Sequence, residues 1–167
     1  MRSPFRFVAG ASAYAWQNDG DRNLFTDDGA SSSSTLADVE RVRGVELSGG
    51  LRGHGLSIDA AWQRIASHTI DTAFDGGLYQ DGLARFYSSS LEAGYMVLPG
   101  RLEVLGAFDT LDVASRSSTA LRPAFGVNWY VYQHRLKFQF MHRETFNVLG
   151  VRDARAHNTT AQAQLAF

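Results

Sequence analysis

Apolar and polar residues alternate with a period of two along most of this chain, the signature of strands with two unlike faces. In LRPAFGVNWYVY one face holds Phe125, Val127, Trp129 and Val131, and the other Arg122, Gly126, Asn128 and Tyr130. In RLKFQFMHRETF, Leu136, Phe138 and Phe140 stand opposite Arg135, Lys137, Gln139 and Arg143. At the end of the chain, TTAQAQLAF sets Ala161, Ala163, Leu165 and Phe167 against Thr160, Gln162, Gln164 and Ala166.

Earlier segments behave alike. Leu102, Val104 and Phe108 oppose Glu103 and Asp109, and Leu91, Ala93, Tyr95 and Val97 oppose Glu92 and Gly94. Leu56, Ile58, Ala60 and Trp62 oppose Ser57, Asp59 and Gln63, while Val45, Leu47 and Leu51 oppose Glu46 and Ser48. PFRFVAGASAYAW is less regular, with Phe5, Phe7 and alanines against Arg6, Ser12 and Tyr14. The pattern predicts an all-β chain of about eight strands in a single domain spanning residues 1–167.

The connections alternate as well. RGHG, LPGR and YQHR are short turns, whereas Asn18 to Asp38, Asp71 to Gly82, Val113 to Ala120 and Asn147 to Ala156 are longer. In an up-and-down antiparallel sheet, this places short turns at one end and long loops at the other. Transmembrane barrels show that asymmetry, with short periplasmic turns and long extracellular loops.

Composition narrows the choice. Sixteen Lys and Arg against seventeen Asp and Glu give a net charge of -1, so no bulk field points to nucleic acid. There is no Cys, which excludes disulfides and thiolate metal sites. Aromatics at 12%, 16 Gly and only 3 Pro suit strands with tight turns. No apolar run reaches the length of a transmembrane helix, and MRSPFRFVAG lacks the apolar core of a signal peptide. The chain is therefore expected to be either cytosolic or a form from which a signal or longer N-terminal portion has been removed. A mildly negative mean hydropathy does not decide between them, because lipid-facing and lumen-facing residues average out in a barrel.

Period alone does not say which face is inside. The polar face gathers Glu46, Asp59, Glu92, Glu103, Asp109, Arg122, Arg135, Lys137 and Gln164 among small residues. Opposite charges mixed with Gly and Ala suit a lumen, and the aliphatic and aromatic face suits lipid. Trp62, Tyr95 and Trp129 lie on that apolar face and are expected at the membrane interface. The expected fold is thus a transmembrane up-and-down antiparallel β-barrel in the bacterial outer membrane.

Two stretches sharpen this expectation. LEAGYMVLPGRLEVLGAFDTLD resembles a strand–turn–strand unit of the phosphate-selective porin family, and FGVNWYVYQHRLKFQFMHRE resembles that family's next hairpin. The terminal AQLAF is similar to its last strand. The resemblance covers roughly residues 40–167 and the C-terminal part of such porins. It implies passive diffusion of small hydrophilic or anionic solutes, without catalysis and without a cofactor. Two departures stand beside it: family members are roughly twice as long, and their basic ladder has no matching Arg or Lys series here. Arg135, Lys137 and Arg143 share the inward face, where pairing with Glu92, Glu103 or Asp109 is favoured over anion guidance. The terminal Phe167, with Leu165 where an aromatic is usual, resembles the signal read by the barrel-assembly machinery. Outer-membrane lipid and lipopolysaccharide are the other expected partners, with a homo-oligomer possible. The alternative function is a closed eight-stranded barrel with a packed lumen, serving as a membrane scaffold or adhesion platform through its loops.

Other chemistry is weaker. Asp19, Asp21, Asn23 and Asp27 have calcium-loop spacing, but Leu24 stands where Gly is wanted and Ala30 where Glu is wanted. His68 lies close in sequence to Asp71 as a His–carboxylate candidate, and His54 and His134 fall in turns.

Overall fold

The computed structural model describes residues 4–18, 38–132 and 136–165. Eight strands follow in chain order: β1 (Arg6–Gln17), β2 (Val39–Gly53), β3 (Leu56–Thr69), β4 (Leu83–Leu98), β5 (Leu102–Val113), β6 (Ala120–Tyr132), β7 (Leu136–Phe146) and β8 (Arg155–Leu165). They form one sheet in the order β1-β2-β3-β4-β5-β6-β7-β8, and every pairing is antiparallel. The one other element among the described residues is a 3-10 turn at Val148–Gly150. The expected strand number, direction and sequence of neighbours are all present.

Turn chemistry explains the tight end. His54 and Gly55 both have positive φ, 52° and 81°, the type I′ geometry whose twist matches that of the flanking strands. Pro99 and Gly100 make the next hairpin. Proline presets the first central φ, Gly100 takes φ 70°, and Arg101 N–H donates to Leu98 O at 2.9 Å, as in a type II turn. The other ends of the strands carry the longer loops, and these interlock. Ser115 Oγ donates to Leu78 O at 2.9 Å, the Arg116 guanidinium donates to Gly77 O, and the Asn147 amide donates to Thr119 O at 3.0 Å.

The strands are staggered. Following the paired register from Ala11 leads through Leu47, Trp62, Ser89, Thr110, Leu121 and Phe146 to Arg155. That row starts in the middle of β1 and ends on the first residue of β8. A steady slip in one direction is the shear that tilts strands in a barrel wall.

The two faces differ as the sequence requires, but the burial is inverted relative to a water-soluble sheet. On β6 the apolar-face Phe125 and Trp129 are 62% and 55% exposed, while the polar-face Asn128 is 5% exposed. Side chains crowd on the polar side and splay on the apolar side, as they do when a sheet curls with its polar face inward. The buried residues also lie on the polar side, and the most deeply covered of them sit at the long-loop end. There Val113, Ala84, Ala120, Thr69 and Ser67 are covered as the loops fold over them, and Tyr79 Oη meets Ser67 Oγ at 2.7 Å.

The eight strands do not close on themselves. No pairing joins β1 to β8 among the described residues, and every residue of both strands is exposed. The sheet therefore has barrel-wall topology with two unpaired edges.

Candidate functional site

The charged face is the chemically distinctive surface of this sheet. Parity along each strand, carried across the register, places Glu46, Asp59, Glu92, Glu103, Asp109, Arg122, Lys137 and Arg143 on it together. Arg135 lies outside the described residues.

Three clusters organise this face. In the first, Glu103 of β5 accepts hydrogen bonds from the Asn128 amide at 2.9 Å and the Tyr130 hydroxyl at 2.8 Å, both on its Oε2. Its other oxygen lies 3.4 Å from Ser57 Oγ, two strands away. That reach depends on Gly94, which occupies the intervening position on β4. A Cβ there would come within 2.7 Å of Glu103 Oε1.

In the second cluster, Asp109 of β5 faces two guanidiniums. Arg122 Nη2 is 3.7 Å and Arg143 Nη2 is 3.8 Å from the same carboxylate oxygen. Two cations share one anion, so the cluster keeps one surplus positive charge. The distances are long for charge-assisted hydrogen bonds, so the guanidiniums are held in place more by the charge field than by fixed geometry. Beside the cluster is a depression of about 200 Å³ lined by Glu46, Gln63, Ser88, Ser90, Asp109 and Arg122.

The third cluster pairs Arg52 with Asp59 across β2 and β3, and Arg52 also donates to Ile58 O at 2.8 Å. Gly50 leaves room for Asp59, whose Oδ1 would lie 2.9 Å from a Cβ at that position. Arg52 is a member of the face that the sequence reading did not single out. Its signal was present, since it continues the Glu46–Ser48 alternation. Glu92 stands directly opposite Asp59 and contributes to the field around Arg52. Lys137 faces Tyr130 and Gln164, with no carboxylate at ion-pair distance among the described residues.

The expected interface aromatics are all on the apolar face, at 39% (Trp62), 53% (Tyr95) and 55% (Trp129) exposure. Leu165 is exposed on the same face, and Phe167 lies outside the described residues. A groove of about 600 Å³ on this face runs between Trp129, Phe138 and Phe140 over Ala161 and Ala163.

The remaining candidates fare differently. Asp19, Asp21, Asn23, Leu24, Asp27 and Ala30 lie outside the described residues, as does His134. Among the described residues no three His, Asp or Glu converge on a common point. His68 and Asp71 are not joined, and Asp71 Oδ1 instead accepts from Ala73 N–H at 2.9 Å. A His–carboxylate contact occurs elsewhere, on the apolar side of β7. There His142 Nε2 is 3.3 Å from Glu144 Oε1, and its Nδ1 is 2.8 Å from Thr159 Oγ1. Cross-strand register brings Thr159 opposite His142, a relation that single-strand periodicity does not carry.

No protein-family model, curated protein or solved structure matches the chain. Among the described residues no helix is long and apolar enough to cross a membrane, which has no bearing on crossing by strands.

Proposed function

We propose that this sheet is wall from an outer-membrane β-barrel wider than eight strands, acting as a porin-like conduit for small hydrophilic or anionic solutes. The observation that carries the reading is the open, sheared sheet with its charged face turned inward and both edges unpaired. An apolar belt in water would be costly, and so would an unpaired strand edge in hydrocarbon. Both costs vanish if the belt faces lipid and the edges meet further strands. Such strands would come from elsewhere in a polypeptide or from a second copy. β1 and β8 run antiparallel in an eight-stranded order, so the β8 edge of one copy matches the β1 edge of another. Strands of 11 to 16 residues exceed the roughly nine to eleven needed to cross a bilayer. The resemblance to phosphate-selective porins points to the same class.

On this reading Asp109, Arg122, Arg143 and Lys137 form a solute-facing wall with a modest local excess of positive charge. The closed eight-stranded alternative has less support, because no β1–β8 pairing is present among the described residues. Planar-bilayer recording tests the proposal. Stable conductance steps together with a detergent-phase mass of two chains support a wall completed by a second copy. A monomeric, inserted and electrically silent chain would sink the porin reading and favour the closed scaffold.

A further inference from the structure

Above the apolar belt, on the same face, the sheet carries an unusual grouping of cations. Ala66 of β3 is flanked on its row by Arg43 of β2 and Arg85 of β4. Two residues along β3 in one direction stands Arg64, and two in the other stands His68, itself paired with Arg41. Strand spacing sets the Arg43 and Arg85 Cα atoms about 10 Å apart, with Arg64 and His68 each about 7 Å from Ala66. Arginine side chains are long enough to reach across those separations to an anion held above the alanine. Arg43, Arg64 and Arg85 are exposed, and Arg64 lies 5.6 Å from the centre of the Tyr87 ring.

Among the described residues the three central arginines lack compensating charge. Glu40 lies 4.0 Å from Arg41, but Arg43, Arg64 and Arg85 have no carboxylate within ion-pair distance among the described residues. Asp112, opposite Tyr87 on this face, does not reach them. Near the same ends of β7 and β8, by contrast, Glu144 stands opposite His157, next to Arg155. Like charges set close together across a sheet are destabilising unless an anion sits between them. The step toward the short turns from Arg64 and Arg43 is Trp62 and Val45, both exposed and apolar. An anion held over Ala66 would therefore sit where headgroups meet acyl chains.

We propose that Arg43, Arg64 and Arg85, with Arg41 and His68 at the rim, form a socket for the phosphorylated headgroup of a membrane lipid in the leaflet facing the long loops. The acyl chains run down over Trp62, Val45, Leu47 and Leu91. Ala66 is the floor, since any larger side chain there would fill the space between the guanidiniums. The inference rests on the membrane-barrel reading, and it uses the face opposite to the solute wall.

The test is native mass spectrometry of the folded chain in neutral detergent, titrated with a bisphosphorylated lipid A. The parent retains it, binds the fully dephosphorylated lipid far less, and is not stripped by inorganic phosphate. Combining Arg43→Gln, Arg64→Gln and Arg85→Gln weakens retention roughly a hundredfold, at about fivefold per guanidinium. Replacing Arg101, Arg152 and Arg155 by Gln makes the same change in net charge and leaves retention unaltered. Equal retention by the triple variant, or equal binding of phosphorylated and dephosphorylated lipid, overturns the socket. Displacement by inorganic phosphate overturns the lipid as occupant and leaves a free-anion site. The comparison of the two lipids uses the parent alone, so it stands even where the triple variant fails to fold. A chain that is folded and soluble without detergent would defeat the membrane reading itself. A normally inserted chain that ignores lipid A would defeat the socket alone.

Discussion

Removing the Glu103 carboxylate should destabilise the folded sheet, through partners that can be named. In Glu103→Ala, the Asn128 amide and the Tyr130 hydroxyl lose their common acceptor. Asn128 is buried, so its orphaned N–H costs about 1–3 kcal/mol. Tyr130 is half-buried and its hydroxyl can turn toward water, which limits its loss to about 1 kcal/mol. The 3.4 Å approach of Ser57 is too long to add much. The expected cost is about 2–4 kcal/mol. Glu103→Gln keeps an acceptor but loses charge assistance, at about 1 kcal/mol. Equilibrium urea unfolding in lipid vesicles reads both, with Trp129, the chain neighbour of Asn128, as fluorophore. Adding Asn128→Ala removes the orphaned donor. The double variant should therefore fall short of the summed single losses by about 1–2 kcal/mol. A Glu103→Ala protein within about 0.5 kcal/mol of the parent, or a strictly additive cycle, would refute the network as a source of stability.

Two further outcomes follow from the same geometry. Asp109→Asn leaves Arg122 and Arg143 without their shared anion, so reversal potentials across a salt gradient should move toward anions. The long, half-exposed pairs limit the stability loss to about 1 kcal/mol, and a shift toward cations would contradict the solute wall. Gly55→Ala forces a Cβ into φ 81° and within 3.2 Å of Met96 Cβ, which should cost about 1–2 kcal/mol in the same unfolding assay. An unchanged midpoint would argue against the type I′ turn.

The faces were legible in the sequence, but several of the contacts between strands were not. Alternation assigned Glu103, Asn128 and Tyr130 to one side, since parity is a property of a single strand. That Glu103 stands opposite Asn128 depends on the β5–β6 register, which is set across the Val113–Ala120 connection and leaves no mark within either strand. The first half of β4 was legible from its bounds but not from its faces. Ser88, Ser89 and Ser90 are polar on both faces, so the strand from Leu83 showed no period until Leu91. The basic group around Ala66 was hidden because its members come from three strands, each contributing only one or two arginines. Openness is a property of the whole circuit, since alternation says which way a side chain points but nothing about how many strands complete a ring.

The nearest-neighbour strand order has a consequence for how such a sheet can change over time. Each hairpin bonds only to the one before and the one after, so its register is set locally, by a turn such as His54–Gly55 or Pro99–Gly100. A hairpin copied or deleted at the DNA level would leave every other pairing intact while preserving the inward and outward faces. Sheet width then becomes a heritable quantity that moves in steps of two strands, tuned by gene duplication without redesigning the wall.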